Sequence, residues 1–91
     1  MYGLTSQIRR SAVSIHSNIA EGYGRKTTLE YVRFLYIAYG SVCELETQTM
    51  ISCDLSYVGK ERFQEIREGI GDVERMLKAM IKSLENKHLD P

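Results

Sequence analysis

Apolar residues recur in this chain at three- and four-residue steps in three separate runs. Nowhere do they alternate at period two for long enough to predict a strand. In the first run Leu4, Ile8, Ala12, Ile15 and Ile19 mark one stripe of a helix, with Arg10, Ser14, Ser17 and Glu21 on the opposite face. Thr5 and Ser6 are good N-caps and Gly22 is a natural C-terminal stop, so the spacing predicts a helix over about 5–22. The glycines of Gly22-Tyr23-Gly24-Arg25-Lys26 then predict a short loop.

The second run opens with a capping box, Thr27 three residues before Glu30, and predicts a helix over about 28–52. One stripe comprises Val32, Leu35, Tyr36, Tyr39, Val42, Cys43 and Met50; a second comprises Tyr31, Phe34, Ala38 and Leu45. A helix apolar on two faces is central or meets a second subunit. Glu46 falls inside the first stripe. A buried carboxylate is costly unless paired, and Arg9 or Arg10 of the first helix is the expected partner. Gly40 is expected to let a neighbouring helix approach closely.

After a loop over 54–59, the third run predicts a helix over about 60–86. Phe63, Ile66, Ile70, Val73, Leu77, Met80, Ile81 and Leu84 form its single stripe, and its other faces mix charges. That is the pattern of an outer helix, solvated on its back. Gly69 and Gly71 each cost up to ~1 kcal/mol inside a helix. The only proline, Pro91, is the last residue. The expected fold is all-α: an antiparallel up-and-down bundle of three helices, in one domain over 1–91.

Size sharpens this picture. A domain of 91 residues is marginal unless its core is good or it oligomerises. Twelve basic residues balance twelve acidic ones, which is not the footprint of a dedicated nucleic-acid binder. The first 26 residues nevertheless carry a net charge of +3, from Arg9, Arg10, Arg25 and Lys26 against Glu21. Cys43 and Cys53 on one helix would stand roughly 15 Å apart, too far for a disulfide. Unpaired cysteines point to a reducing, cytoplasmic setting. No apolar run approaches the ~20 residues of a membrane span.

Catalytic chemistry finds little support. His16 and His88 are far apart and the cysteines lack CxxC spacing, so neither a metal nor a cofactor is expected. Cys43 reads as a small core residue. Glu44 and Glu46, two apart on a helix, face different ways and cannot flank one bond. No enzyme activity and no small-molecule substrate is expected. The loop Gly22-Tyr23-Gly24-Arg25-Lys26-Thr27-Thr28 enters a helix N-terminus and would suit an anion. It lacks Walker spacing and follows no strand, which favours a plain loop with a cap. Six tyrosines would stack on RNA bases or pack in a core or interface; helical spacing of Tyr36 and Tyr39 favours the latter.

The run from Tyr2 to Gly22 (YGLTSQIRRSAVSIHSNIAEG) resembles the bacterial four-helix-bundle family of the 23S ribosomal RNA intervening sequences. Phe34-Leu35-Tyr36-Ile37-Ala38-Tyr39-Gly40-Ser41 and Glu44-Leu45-Glu46-Thr47 resemble its second hallmark. It is also similar to the accessory protein of diversity-generating retroelements. The resemblance implies four helices, often a homopentamer, and for the accessory protein contact with nucleic acid and a reverse transcriptase. Family members usually carry a further helix before the Tyr-Gly-Leu-Thr run, so three of the four are expected here. They commonly have proline where this chain has His16, so its first helix should be straighter.

Two functions follow from these readings. The first is a non-catalytic oligomeric scaffold contacting RNA or a ribonucleoprotein, with Arg9, Arg10, Arg25 and Lys26 on phosphates. The second is a protein-interaction or structural module with no nucleic-acid role, which the neutral charge and pI near 6.7 favour. The matching Arg9, Arg10, Asn18, Glu21 and Gly22 would be a partner surface in the first; fold maintenance is the favoured role.

Overall fold

The computed structural model describes residues 2–89. Its three helices are α1 (Tyr2–Tyr23), α2 (Thr28–Asp54) and α3 (Lys60–Leu89). Helix α1 starts ahead of the expected caps at Thr5 and Ser6, and α3 continues past its expected end at about residue 86. Met1, Asp90 and Pro91 lie outside the described residues.

The cap of α2 forms as its sequence dictates. Thr27 is extended, and its hydroxyl accepts the Glu30 backbone N–H at 3.2 Å. At the other end Ser56 takes a left-handed conformation, φ 62°. The Tyr57 and Ser56 N–H groups donate back to the Ser52 and Cys53 carbonyls, both at 2.9 Å. This Schellman arrangement satisfies the last carbonyls of α2 and turns the chain toward α3, with a serine in the place glycine usually takes.

Helix α2 is the centre of the fold. Its Val32, Leu35, Ala38 and Val42 are buried, joined by Ile15 of α1 and by Ile70, Leu77 and Ile81 of α3. Both outer helices run antiparallel to α2: Ser11 meets Gln48 and Ser14 meets Ser41, while Tyr39 meets Glu74 and Tyr36 meets Glu85. The α1–α2 seam is polar and small. The Ser11 hydroxyl donates to Gln48 Oε1 at 3.0 Å, and the Ser14 and Ser41 hydroxyls share a bond at 2.8 Å. Small side chains let the two backbones approach, and the paired hydroxyls remove the cost of their burial.

Among the described residues α1 and α3 each pack on α2 and make no close backbone approach to one another. The fold is therefore a bent layer of three helices. Its radius of gyration is 15.0 Å, against about 12 Å for a compact chain of this length.

Several positions differ from expectation. Tyr36, Cys43 and Met50 fall in the first α2 stripe yet are exposed; Cys43 is not a core residue. A stripe that wide wraps past the two neighbours available to cover it. Gly40 faces open space, with no helix against it. Gly22 does not end α1. It is buried, and a Cβ there would stand 2.8 Å from Phe34 Cβ, so its role is close packing of α1 on α2.

Candidate functional site

The bend of the layer leaves a groove between α1 and α3. Ile15 and Ile19 of α1 and Ile70 and Val73 of α3 form its walls, and Val42 and Leu45 of α2 its floor. Its volume is about 410 Å³. His16 is the one ionisable residue among the side chains that line it, and its Nδ1 lies 3.0 Å from the Ala12 carbonyl oxygen. Gly69 and Met76 complete the α3 wall, both exposed. An open apolar surface of this kind is costly to leave in water.

The opposite side of the layer differs. There the back of α2 stands between two clefts. One lies toward α1, with Arg10, Ser14 and Glu44 among its lining; the other lies toward α3, between Tyr36, Tyr39 and Lys78, Lys82, Glu85. Leu29, Tyr36, Ile37 and Ile51 are 60%, 52%, 44% and 43% exposed on α2, much more than large apolar side chains in a finished core.

The predicted basic residues do not assemble into one site. Arg25 pairs with Glu21 across one helical turn and lies 4.8 Å from the centre of the Phe34 ring. It is thus spent on the α1–α2 corner. Arg9, Arg10 and Lys26 are exposed. Arg10 stands roughly 20 Å along α1 from its C-terminal end, by helical rise, and so far from Arg25 and Lys26. Asn18 serves the fold, donating to the Ser14 carbonyl at 2.8 Å and to its hydroxyl at 3.1 Å.

The expected pairing of Glu46 with Arg9 or Arg10 does not form. Glu46 is half-buried and lies on the other flank of α2, in a cleft with Arg67 and Arg75 of α3. The polar seam with α1 occupies the flank that carries Ser41 and Gln48, so Glu46 points away from both arginines.

Charge at the α2–α3 seam is better organised. The Tyr39 phenol donates to Glu74 Oε1 at 3.1 Å, Lys78 Nζ lies 3.2 Å from the same oxygen, and Lys78 sits 5.6 Å from the Tyr39 ring centre. The Lys78 and Tyr39 hydrogen bonds hold the Glu74 carboxyl below its ordinary value of 4.5, and Glu74 holds Lys78 above 10.5. Partial desolvation, then the Glu85 carboxylate, raises the Tyr36 phenol. A depressed carboxyl stabilises the fold above its unfolded value and loses that contribution as pH falls through the folded one. The stability gap between the wild type and Glu74→Gln should therefore be open at pH 7 and close below about pH 4.5, in urea titrations at each pH. A gap that stays constant would show that the network does not couple to folding.

Among the described residues no three histidine, cysteine, aspartate or glutamate side chains converge, both cysteines are free, and no helix is long and apolar enough to cross a membrane. His88 Nδ1 and Nε2 lie outside the described side chains.

Fold and groove together define an all-α helical-bundle protein. The chain belongs to the 23S rRNA-intervening sequence protein family, whose model matches residues 1–79. A crystal structure of a protein of unknown function from the S23 ribosomal protein family of Bacteroides thetaiotaomicron has a similar fold, with a TM-score of 0.84 at 25% identity. The match covers 87% of this chain and 73% of that one, so more than a quarter of the relative lies outside it. No curated protein matches the chain.

Proposed function

We propose that this chain is a non-catalytic helical assembly module whose apolar groove receives a helix from a protein partner. The groove carries this reading. Its two walls stand apart over the floor of Val42 and Leu45, so what fits is an amphipathic helix laid parallel to α1 and α3. The groove's apolar side chains would lose contact with water on docking, worth ~25 cal/mol per Å² removed.

RNA contact, implied by the resemblance, has less behind it. The cations that would hold phosphates are split between the middle of α1 and the loop that follows it, and Arg25 already has a carboxylate partner. Base stacking by the tyrosines is also weakly supported, since the Tyr39 and Tyr36 hydroxyls are engaged with α3.

A tethered helix tests the reading. An amphipathic helix with leucine at its a and d positions, joined to the chain by a flexible linker, has a high effective concentration at the groove. Docking should raise the thermal midpoint by about 5 °C or more. Gly69→Lys, which puts a charged side chain on the groove wall, should erase the increase. No increase in the fusion would overturn the reading.

A further inference from the structure

The two rims of the groove differ in charge. On α1, His16 lines the groove. At roughly 100° per residue, Arg9 lies two turns earlier and only about 20° around the helix from it, so both sit on the flank that borders the groove. Both are exposed, and among the described residues neither has a carboxylate partner. The α3 rim is neutralised from within. Glu65 and Asp72 lie one turn before Gly69 and Met76 of the groove wall, and each is paired along its own helix, with Arg62 at 3.6 Å and with Arg75. The α2 floor, Val42 and Leu45, carries no charge. An uncompensated basic edge therefore runs along one side of an apolar channel.

The His16 ring is held in a defined way. A carbonyl oxygen only accepts, so the nitrogen 3.0 Å from the Ala12 oxygen, Nδ1, carries a proton. Nε2 is the nitrogen left for a partner. On the neutral ring it accepts; on the cation it donates, and a carboxylate is the acceptor that gains most from that. Arg9 only donates. The group that satisfies both is a carboxylate, and the helical period sets the spacing at seven residues, ~10.5 Å of rise.

We infer that the helix received by the groove is acidic along the flank that lies on α1, with two carboxylates seven residues apart, one meeting Arg9 and the other His16. This charge pattern rests on the groove being a helix receptor and adds the chemistry of the partner. Apolar contact supplies most of the affinity and accepts any amphipathic helix. The charged edge discriminates, favouring an acidic flank and repelling a basic one. Because His16 supplies one of the cations, docking tightens as pH falls through the range, about 5 to 8, in which histidine gains its charge.

Three synthetic helical peptides test it, titrated into the intact chain at low salt and followed by fluorescence anisotropy. All have leucine at a and d. At two successive e positions one has glutamate, one glutamine and one lysine. A peptide is free to dock in either direction, so its e flank can always find α1. At about pH 6 the glutamate peptide should bind about tenfold tighter than the lysine peptide, two attractive pairs set against two repelled ones. Arg9→Gln combined with His16→Gln should erase the order of the three and leave the affinity of the glutamine peptide unchanged. Both side chains are exposed, so this variant should keep a thermal midpoint close to that of the wild type. His16→Gln alone should remove the tightening of the glutamate peptide, about threefold, from about pH 8 to about pH 5.5. Equal affinities for the three peptides, tightest binding of the lysine peptide, or an order that survives in the double variant would each overturn the inference. The groove would then remain a helix receptor without this charge selection. Binding of none of the three would remove the receptor reading as well.

Discussion

Leu35→Ala is expected to cost about 3 kcal/mol of folding stability, measured by urea titration at concentrations where the chain is monomeric. Leu35 is fully buried in the N-terminal third of α2, in the cluster that joins α2 to Ile15 on one side and Leu77 on the other. Truncation removes the transfer free energy of the lost carbons and leaves a cavity that rigid neighbours fill only in part. The whole chain has about 5–10 kcal/mol available. A loss of this size would bring the thermal midpoint down by roughly 12–24 °C. The same substitution at the exposed Ile37 should cost well under half as much. Equal losses at the two positions would mean that α2 is not the buried centre of the fold.

Gly22→Ala should cost about 2 kcal/mol, although alanine is the better helix former. The added Cβ would stand 2.8 Å from Phe34 Cβ, 3.0 Å from Tyr31 Cδ1 and 3.2 Å from the Tyr31 carbonyl oxygen. A Cβ and a backbone carbonyl cannot swing aside as a side-chain tip can, so α1 must lift from α2. Lifting strains the neighbouring corner, where Arg25 packs on Phe34 and Tyr23 meets Tyr31 edge to face at 6.2 Å between ring centres. Gly40→Ala and Gly69→Ala are the comparison. Their Cβ atoms meet nothing, so each should gain up to ~1 kcal/mol in the monomer. A Gly22→Ala protein as stable as the wild type would show that the close approach is not needed.

Opposite signs at chemically identical substitutions show how far a sequence can be read. A glycine near a helix end suggests a cap, and Gly22 reads that way from its neighbours in the chain. Its contacts are with Phe34 and Tyr31, on another helix, and only their packing distinguishes a cap from a point of close approach. Cys43 and Glu46 tell the same story. Both fall in a stripe of α2 that periodicity marks apolar, yet Cys43 is exposed and Glu46 faces the arginines of α3 rather than those of α1. The basic residues near the start of the chain share a short stretch of sequence without sharing a site, because a helix carries Arg10 away from Arg25 along its axis.

Three helices, their order and their approximate ends follow from properties of short stretches: period-3.6 stripes, the Thr27 cap and the glycine-bearing loop. Those properties act between residues a few positions apart, and any arrangement of the helices retains them. The two-faced character of α2 is legible in the same way, including its need for cover on more than one side. Which face is covered within the chain is set by where α1 and α3 settle on it. They settle apart, and that gap turns the stripes of Ile15, Ile19, Ile70 and Val73 into the walls of a groove and the back of α2 into a ridge. Periodicity records that a residue shares a face with others; it carries no information on the distance between two helices, and that distance is what makes the surface.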